Sequence, residues 1–360
     1  MRKNLKIVLF IVAILIVSGG LVFGILVFTT WGTYEYSNTY YYEPSVPSPI
    51  EKVSFSSDVG KIMINYNKTP TDFFVKLDLD INIRGGFIEG KTFSDFFYPV
   101  VWLNESVSVV TFSLTHKSWR LFTSSENVTI DVTLRTDVVY DVNALTSTGS
   151  VNMNVPENVI INNSLLEAST GSISMVSGKN VTFLGNVKTE TSTGGTSLIA
   201  KYTNFTKDIS AVTSTGSLTM NLTNCNIGDD ISGIVSTGSI TLKIYNPIYS
   251  QESTWNLKTS TGSISVEIYQ FVDMNSNVVG DIETSTGSIN LIYKDNRGSV
   301  GASFFGTTST GSYTRTSSGG GFAPSNTNPY NSLDYGTALN TYTLGLTTST
   351  GSINVDGTSA

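Results

Sequence analysis

The stretch Thr213-Ser214-Thr215-Gly216-Ser217-Leu218-Thr219-Met220 decides how the chain is read, because its first six residues return along the sequence. Nine copies place glycines at Gly149, Gly171, Gly194, Gly216, Gly238, Gly262, Gly287, Gly311 and Gly351. Successive glycines lie 22, 23, 22, 22, 24, 25, 24 and 40 residues apart, a near-fixed period that marks stacked repeats. Behind each Gly comes an alternating run such as Ile240-Thr241-Leu242 or Ile264-Ser265-Val266, the pattern of a strand with one buried face. A period of 22 to 25 residues holds about three short strands and their turns. The fold expected is therefore an all-β solenoid, a β-helix of nine rungs bonded to one another at roughly 4.8 Å and standing about 40 Å tall. Each motif Gly turns the chain at positive φ, and aligned Thr and Ser hydroxyls are expected to run up the stack as ladders that pin the register.

Working outward, the 40-residue gap before Gly351 contains Ser317-Ser318-Gly319-Gly320-Gly321 and Pro324 through Pro329. It reads as a loop inserted at 315–344, folded over the far end of the 141–360 solenoid or leaving that end open to a partner strand. Residues 51–140 are β-rich and lack the full motif, and Ser56-Ser57-Asp58-Val59-Gly60-Lys61-Ile62 is a degenerate copy of it. They read as an N-terminal cap with the first rungs, because an uncapped stack exposes strand edges. Residues 31–50, with many Tyr and Pro44, Pro47 and Pro49, read as an extended stalk.

The first thirty residues read as a cytoplasmic stub and a transmembrane anchor. Arg2, Lys3 and Lys6 precede an uncharged stretch from Ile7 to Phe28, long enough as a helix to span a bilayer. The positive charges put the N-terminus in the cytoplasm and the remainder outside, in a single pass at the cell membrane. A cleaved signal peptide would have a shorter apolar region and an A-x-A-like site. Trp31, Tyr34 and Tyr36 would then form an interfacial aromatic belt.

The net charge of −7, with 21 scattered basic residues, excludes a nucleic-acid site. Cys225 is the single cysteine, so no intramolecular disulfide forms, and it reads as a small buried residue. Seven sequons, at Asn67, Asn104, Asn127, Asn162, Asn180, Asn204 and Asn221, would mark solvent-facing turns if glycosylated.

These motifs resemble the putative adhesin family of exported β-solenoid proteins, with Val53-Ser54-Phe55 through Ile64 as the incoming strand and the nine glycines as the rungs. The likeness covers about residues 51 to 312 and 347 to 357. It implies attachment at a surface and supplies no ligand residue. The function expected is a non-catalytic, adhesin-like or envelope-structural glycoprotein without cofactor or metal. Its partners would be the membrane through the N-terminal helix, and a surface glycan or a second copy through the solenoid end. Envelope sensing fits less well with so short a cytoplasmic tail. A polysaccharide-cleaving β-helix enzyme, the less favoured alternative, would need carboxylates recurring at one offset from the Gly, whereas Asp229-Asp230 is an isolated turn pair and His116 is the single histidine. Seven motifs carry Thr-x-Thr, so ice or polysaccharide binding by a flat threonine grid is the alternative, provided both threonines face outward.

Overall fold

The computed structural model describes residues 31–44, 47–67, 73–104, 109–117, 123–296 and 298–359. The anchor proposed for residues 1–30 lies outside these. Among the described residues no helix is long and apolar enough to cross a membrane. The described residues are all-β, with long parallel sheets and one short helix, Phe93–Phe96.

A middle coil shows how the repeat becomes structure. Ile209–Thr215 runs to the Gly216 corner, Leu218–Thr223 runs away from it, and the short strand Asn226–Ile227 completes the turn. Each of the three pairs in parallel, residue for residue, with its counterpart one coil on. Alternate side chains (Ile209 and Ala211, then Leu218, Met220 and Leu222) point inward and are almost wholly buried. The nine motif glycines have φ between 136° and 147°.

The motif is pinned differently from the expected hydroxyl ladder. Its first Thr points inward and, in six of the seven copies that have one, donates its hydroxyl to the glycine carbonyl of the neighbouring coil. Thr213 instead shares a hydrogen bond with Thr196. Thr146 does so to Gly60 (3.1 Å), Thr191 to Gly171 (3.2 Å), Thr259 to Gly238 (3.1 Å), Thr284 to Gly262 (2.9 Å) and Thr348 to Gly287 (3.0 Å). Ala168 and Val235 occupy this buried position in the two motifs that lack the first Thr. Thr259→Val removes one latch at nearly constant volume and should cost about 1 kcal/mol, a fall in Tm of roughly 2 °C by calorimetry. Thr261→Val, on the exposed column, should stay within about 0.5 kcal/mol of wild type.

A second corner, absent from the sequence reading, lies eight or nine residues beyond the glycine. Asn158, Asn180, Tyr202, Asn224 and Asn246 hold φ between 49° and 65° there, the left-handed region that Asn tolerates best. The sequence signal was present in the four asparagines at that spacing.

Both ends depart from chain order. At the N-terminal end Gly60, at φ 98°, donates its N–H to Thr148 O, so the degenerate motif forms a coil beneath the first full one. Thr123–Arg135 lies beneath Lys61–Asn67, and Val75–Gly85 then turns the sheet antiparallel. Gly32–Tyr42 finishes that edge, paired along all eleven residues. Residues 32–42, expected to belong to a stalk, are therefore a paired edge strand. Tyr34 and Tyr36 pack on Phe96 and Phe93, with ring centroids 5.0 and 4.7 Å apart, so they form no membrane belt. The reason lies in their period-two spacing, which puts both rings on one face of a strand.

At the far end the last two coils exchange places. Asn340–Thr350 and Ile353–Thr358, carrying Gly351, stack directly on the Gly287 coil. Val300–Thr310 and Tyr313–Thr316, carrying Gly311, stack outside them. The insertion is thus shorter than 315–344, because Arg315 pairs with Val355 and residues 340–344 pair with 300–304. The crossing segment, residues 317–339, folds over the end. Phe322 and Tyr330 are buried there, with Phe322 stacked on Phe304 at 6.1 Å and the Tyr330 hydroxyl donating to Thr316 O.

Candidate functional site

The residues singled out in the sequence are distributed as follows. The motif glycines occupy the first corner and take part in no chemistry beyond backbone stacking. The motif Ser and the second Thr face solvent in two parallel columns from coil to coil. Because the first Thr of every Thr-x-Thr copy faces inward, those pairs do not form the outward grid that ice binding requires. Shallow depressions of about 280 and 300 Å³ run along the Ser column, one beside Glu167 and Glu190, the other beside Lys258 and Glu283.

The sequons are mostly in strands rather than turns. Asn127, Asn162, Asn204 and Asn221 sit within strands, and Asn180 alone occupies the left-handed corner. Asn162 donates Nδ2 to Asp141 Oδ1 at 2.7 Å, and Asn180 donates Nδ2 to Asn158 Oδ1 at 3.2 Å. Asn67 and Asn104 end strands on the N-terminal side.

The pair Asp229-Asp230 is joined by Asp208 from the neighbouring coil, with carboxylate oxygens within 4.8 Å of one another. Two of these groups hold the turn: Thr254 N–H donates to Asp230 Oδ1 at 2.7 Å, and Asp230 N–H to Asp208 Oδ1 at 3.4 Å. His116 is buried, its Nε2 lying 3.1 Å from Glu126 Oε1 and its ring edge-on to Phe97. Cys225 is buried, and desolvation pushes its thiol up to about 11.

One cluster that the sequence reading passed over combines one exposed and two half-buried rings with polar neighbours. Tyr245 and Tyr269 occupy equivalent positions on adjacent coils, with centroids 6.0 Å apart. Phe271 lies 5.8 Å from Tyr245, its N–H held by Asn246 Oδ1 of the second corner at 2.8 Å. Tyr245 is 41% exposed, high for so large a ring on a stacked strand. The adjoining outward column carries Asn221, Lys243 and Glu267 in register. Lys243 Nζ meets Glu267 Oε1 at 2.8 Å, and that hydrogen bond holds the lysine above its ordinary range. On the far side Lys294 Nζ lies 5.9 Å from the Tyr269 ring. Asn221, Lys243, Tyr245, Glu267 and Tyr269 bound a shallow depression of about 300 Å³. A signal existed in the sequence, since Tyr245 and Tyr269 follow their motif glycines by the same seven residues.

No protein-family profile and no curated protein matches the chain in sequence. Three solved structures match the chain at low scores. A "putative cell adhesion protein" from Clostridium sporogenes ATCC 15579 matches 90% of this chain and 100% of its own, at 12% identity and a TM-score of 0.23. A "putative adhesin" from Bacteroides fragilis NCTC 9343 matches 89% and 97%, at 10% identity and a TM-score of 0.29. Another from Parabacteroides merdae ATCC 43184 matches 72% and 90%, at 11% identity and a TM-score of 0.22. At these scores the likeness carries no information about function, and the surface is interpreted from its own residues.

Proposed function

We propose that this chain is a non-catalytic, adhesin-like surface protein that presents a rigid stack of coils to an extracellular polysaccharide. The observation that carries the reading is the Tyr245–Tyr269–Phe271 platform beside Lys243 and Glu267. Sugar rings are apolar on their C–H faces and polar at their rims. A platform of one exposed and one half-buried aromatic ring, edged by a cation, a carboxylate and an amide, complements both parts. Coils spaced at about 4.8 Å place successive contacts close to the repeat of a glycan chain, so a polymer can run along the stack axis.

A glycan array probed with the purified protein tests this reading. Wild type should bind at least one class of surface polysaccharide. The double variant Tyr245→Ala/Tyr269→Ala should bind that class about 30-fold more weakly, from the loss of roughly 1 kcal/mol per ring. Absence of wild-type binding across the array, or a variant that binds as well as wild type, would overturn it.

A further inference from the structure

We infer that the outer edge of the terminal coil is a pairing surface for the same edge of a second copy of this chain, the two joined antiparallel about a two-fold axis. This rests on backbone hydrogen bonding and is independent of the aromatic platform. Throughout the stack the glycine N–H and the N–H two residues later donate to the next coil. Gly287 donates to Thr350 O and Ile289 to Ser352 O, then Gly351 to Thr310 O and Ile353 to Ser312 O. The register repeats, so the N–H groups of Gly311 and Tyr313 point off the end of the stack. Among the described residues no further coil receives them.

The covering segment closes the core opening and touches this edge only near its two ends, where Tyr330 donates to Thr316 O. It pairs with Ser303 and Phe304, and Asn328 bonds both backbone groups of Gly306. Between those ends, from Thr307 to Thr314, the covering segment makes no hydrogen bond to the edge backbone among the described residues. Gly311 is exposed, whereas the other eight motif glycines are half-buried under their neighbours. Phe305 at the start of the edge is 48% exposed.

Bare strand edges are ordinarily protected by charge, proline or a bulge. From Phe305 to Thr316 the single charged residue is Arg315, and it is turned back over the Tyr313 ring at 4.3 Å with its guanidinium on Thr327 O. A neutral edge of Thr, Ser, Gly and Tyr meets its own two-fold copy without like-charge repulsion, and a two-fold contact closes after two chains. A head-to-tail contact with Gly32–Tyr42 at the opposite end would instead grow into a filament.

The full chain in detergent micelles provides the test. Thr314 is exposed on the edge strand, and Ser147 is exposed on the side of the stack. Thr314→Cys should form a disulfide-linked pair under mild oxidation and Ser147→Cys should not, with the buried native Cys225 giving little background. In sedimentation, wild type should be a dimer, Thr314→Asp should dissociate at least tenfold more readily, and an equimolar mixture of Thr314→Asp with Thr314→Lys should restore the pair. A wild-type chain that sediments as a monomer or as an open-ended polymer would overturn the inference. So would equal cross-linking of the two cysteine variants, or failure of the mixture to pair.

Discussion

Gly216→Ala should unfold the middle of the stack, costing about 4–5 kcal/mol, a large part of the stability of an ordinary domain. A β-carbon on Gly216 would lie 1.8 Å from the carbonyl oxygen of Gly194, and φ there is 141°. The obstacle is backbone, which no rotamer change moves aside, and it is itself held in register by the coils on either side. Urea denaturation followed by tryptophan fluorescence should show the loss, since Trp255 is wholly buried two coils away. Two controls separate crowding from other effects. Gly195→Ser restores the residue found after the glycine in the other eight motifs, and the space beside Gly195 is open to 3.5 Å, so it should be neutral. Gly320→Ala meets nothing within 4 Å at a φ of 86°, and it should cost only the 1–2 kcal/mol of a left-handed backbone. A Gly216→Ala variant as stable as Gly195→Ser would refute the stacking described for the corner.

A chain ending at Thr316 should lose hydrogen-exchange protection throughout residues 300–316, although every one of those residues is still present. In a stack built in chain order, that truncation would remove one outer coil and leave the rest intact. Here it removes the coil on which Val300–Thr310 and Tyr313–Thr316 stand. It also takes away Tyr342, whose hydroxyl donates to Gln270 Oε1 at 2.8 Å and whose ring touches Trp255, Tyr249 and Tyr293 at 5.9, 6.2 and 5.8 Å. Gln270, itself buried, would lose that donor and its apolar cover together. Amides in the Gly287 coil should therefore exchange faster as well. Full protection of residues 300–316 in the truncated chain would show that the coil does not depend on Asn340–Thr350.

What could be read in the sequence follows from what stacking constrains. A corner where a carbonyl of one coil sits against the α-carbon of the next admits glycine alone, so nine glycines at a near-constant interval disclosed the repeat. Gly60 could be recognised for the same reason despite its altered surroundings. The second corner tolerates Asn and, at Tyr202, a tyrosine, so its signature is weaker and went unread. Gly32–Tyr42 was mistaken for a stalk because prolines follow it, although Tyr34 and Tyr36 already alternate as in a strand. The threonine latches could not be inferred, since the sequence alone does not say which Thr of Thr-Ser-Thr faces inward. The exchanged coils were hidden more deeply. Identical motifs give every coil the same complementary face, so chain order is silent on which two become neighbours. The aromatic platform needed the register, because Tyr245 and Tyr269 are 24 residues apart and come together only when successive glycines are superposed.

The exchange of the last two coils also orders events at the ribosome. From the Gly149 coil to the Gly287 coil, each new coil can settle on its predecessor as it emerges. The Gly311 coil then arrives about forty residues ahead of the one it must stand on, while the Gly287 coil offers the same Thr-Ser-Thr-Gly-Ser face. Vectorial growth halts there. The outermost tier must be held off, or lifted and replaced, until Asn340–Thr358 slides in between. Closure of the tower thus waits for a segment that enters between two tiers rather than on top of them.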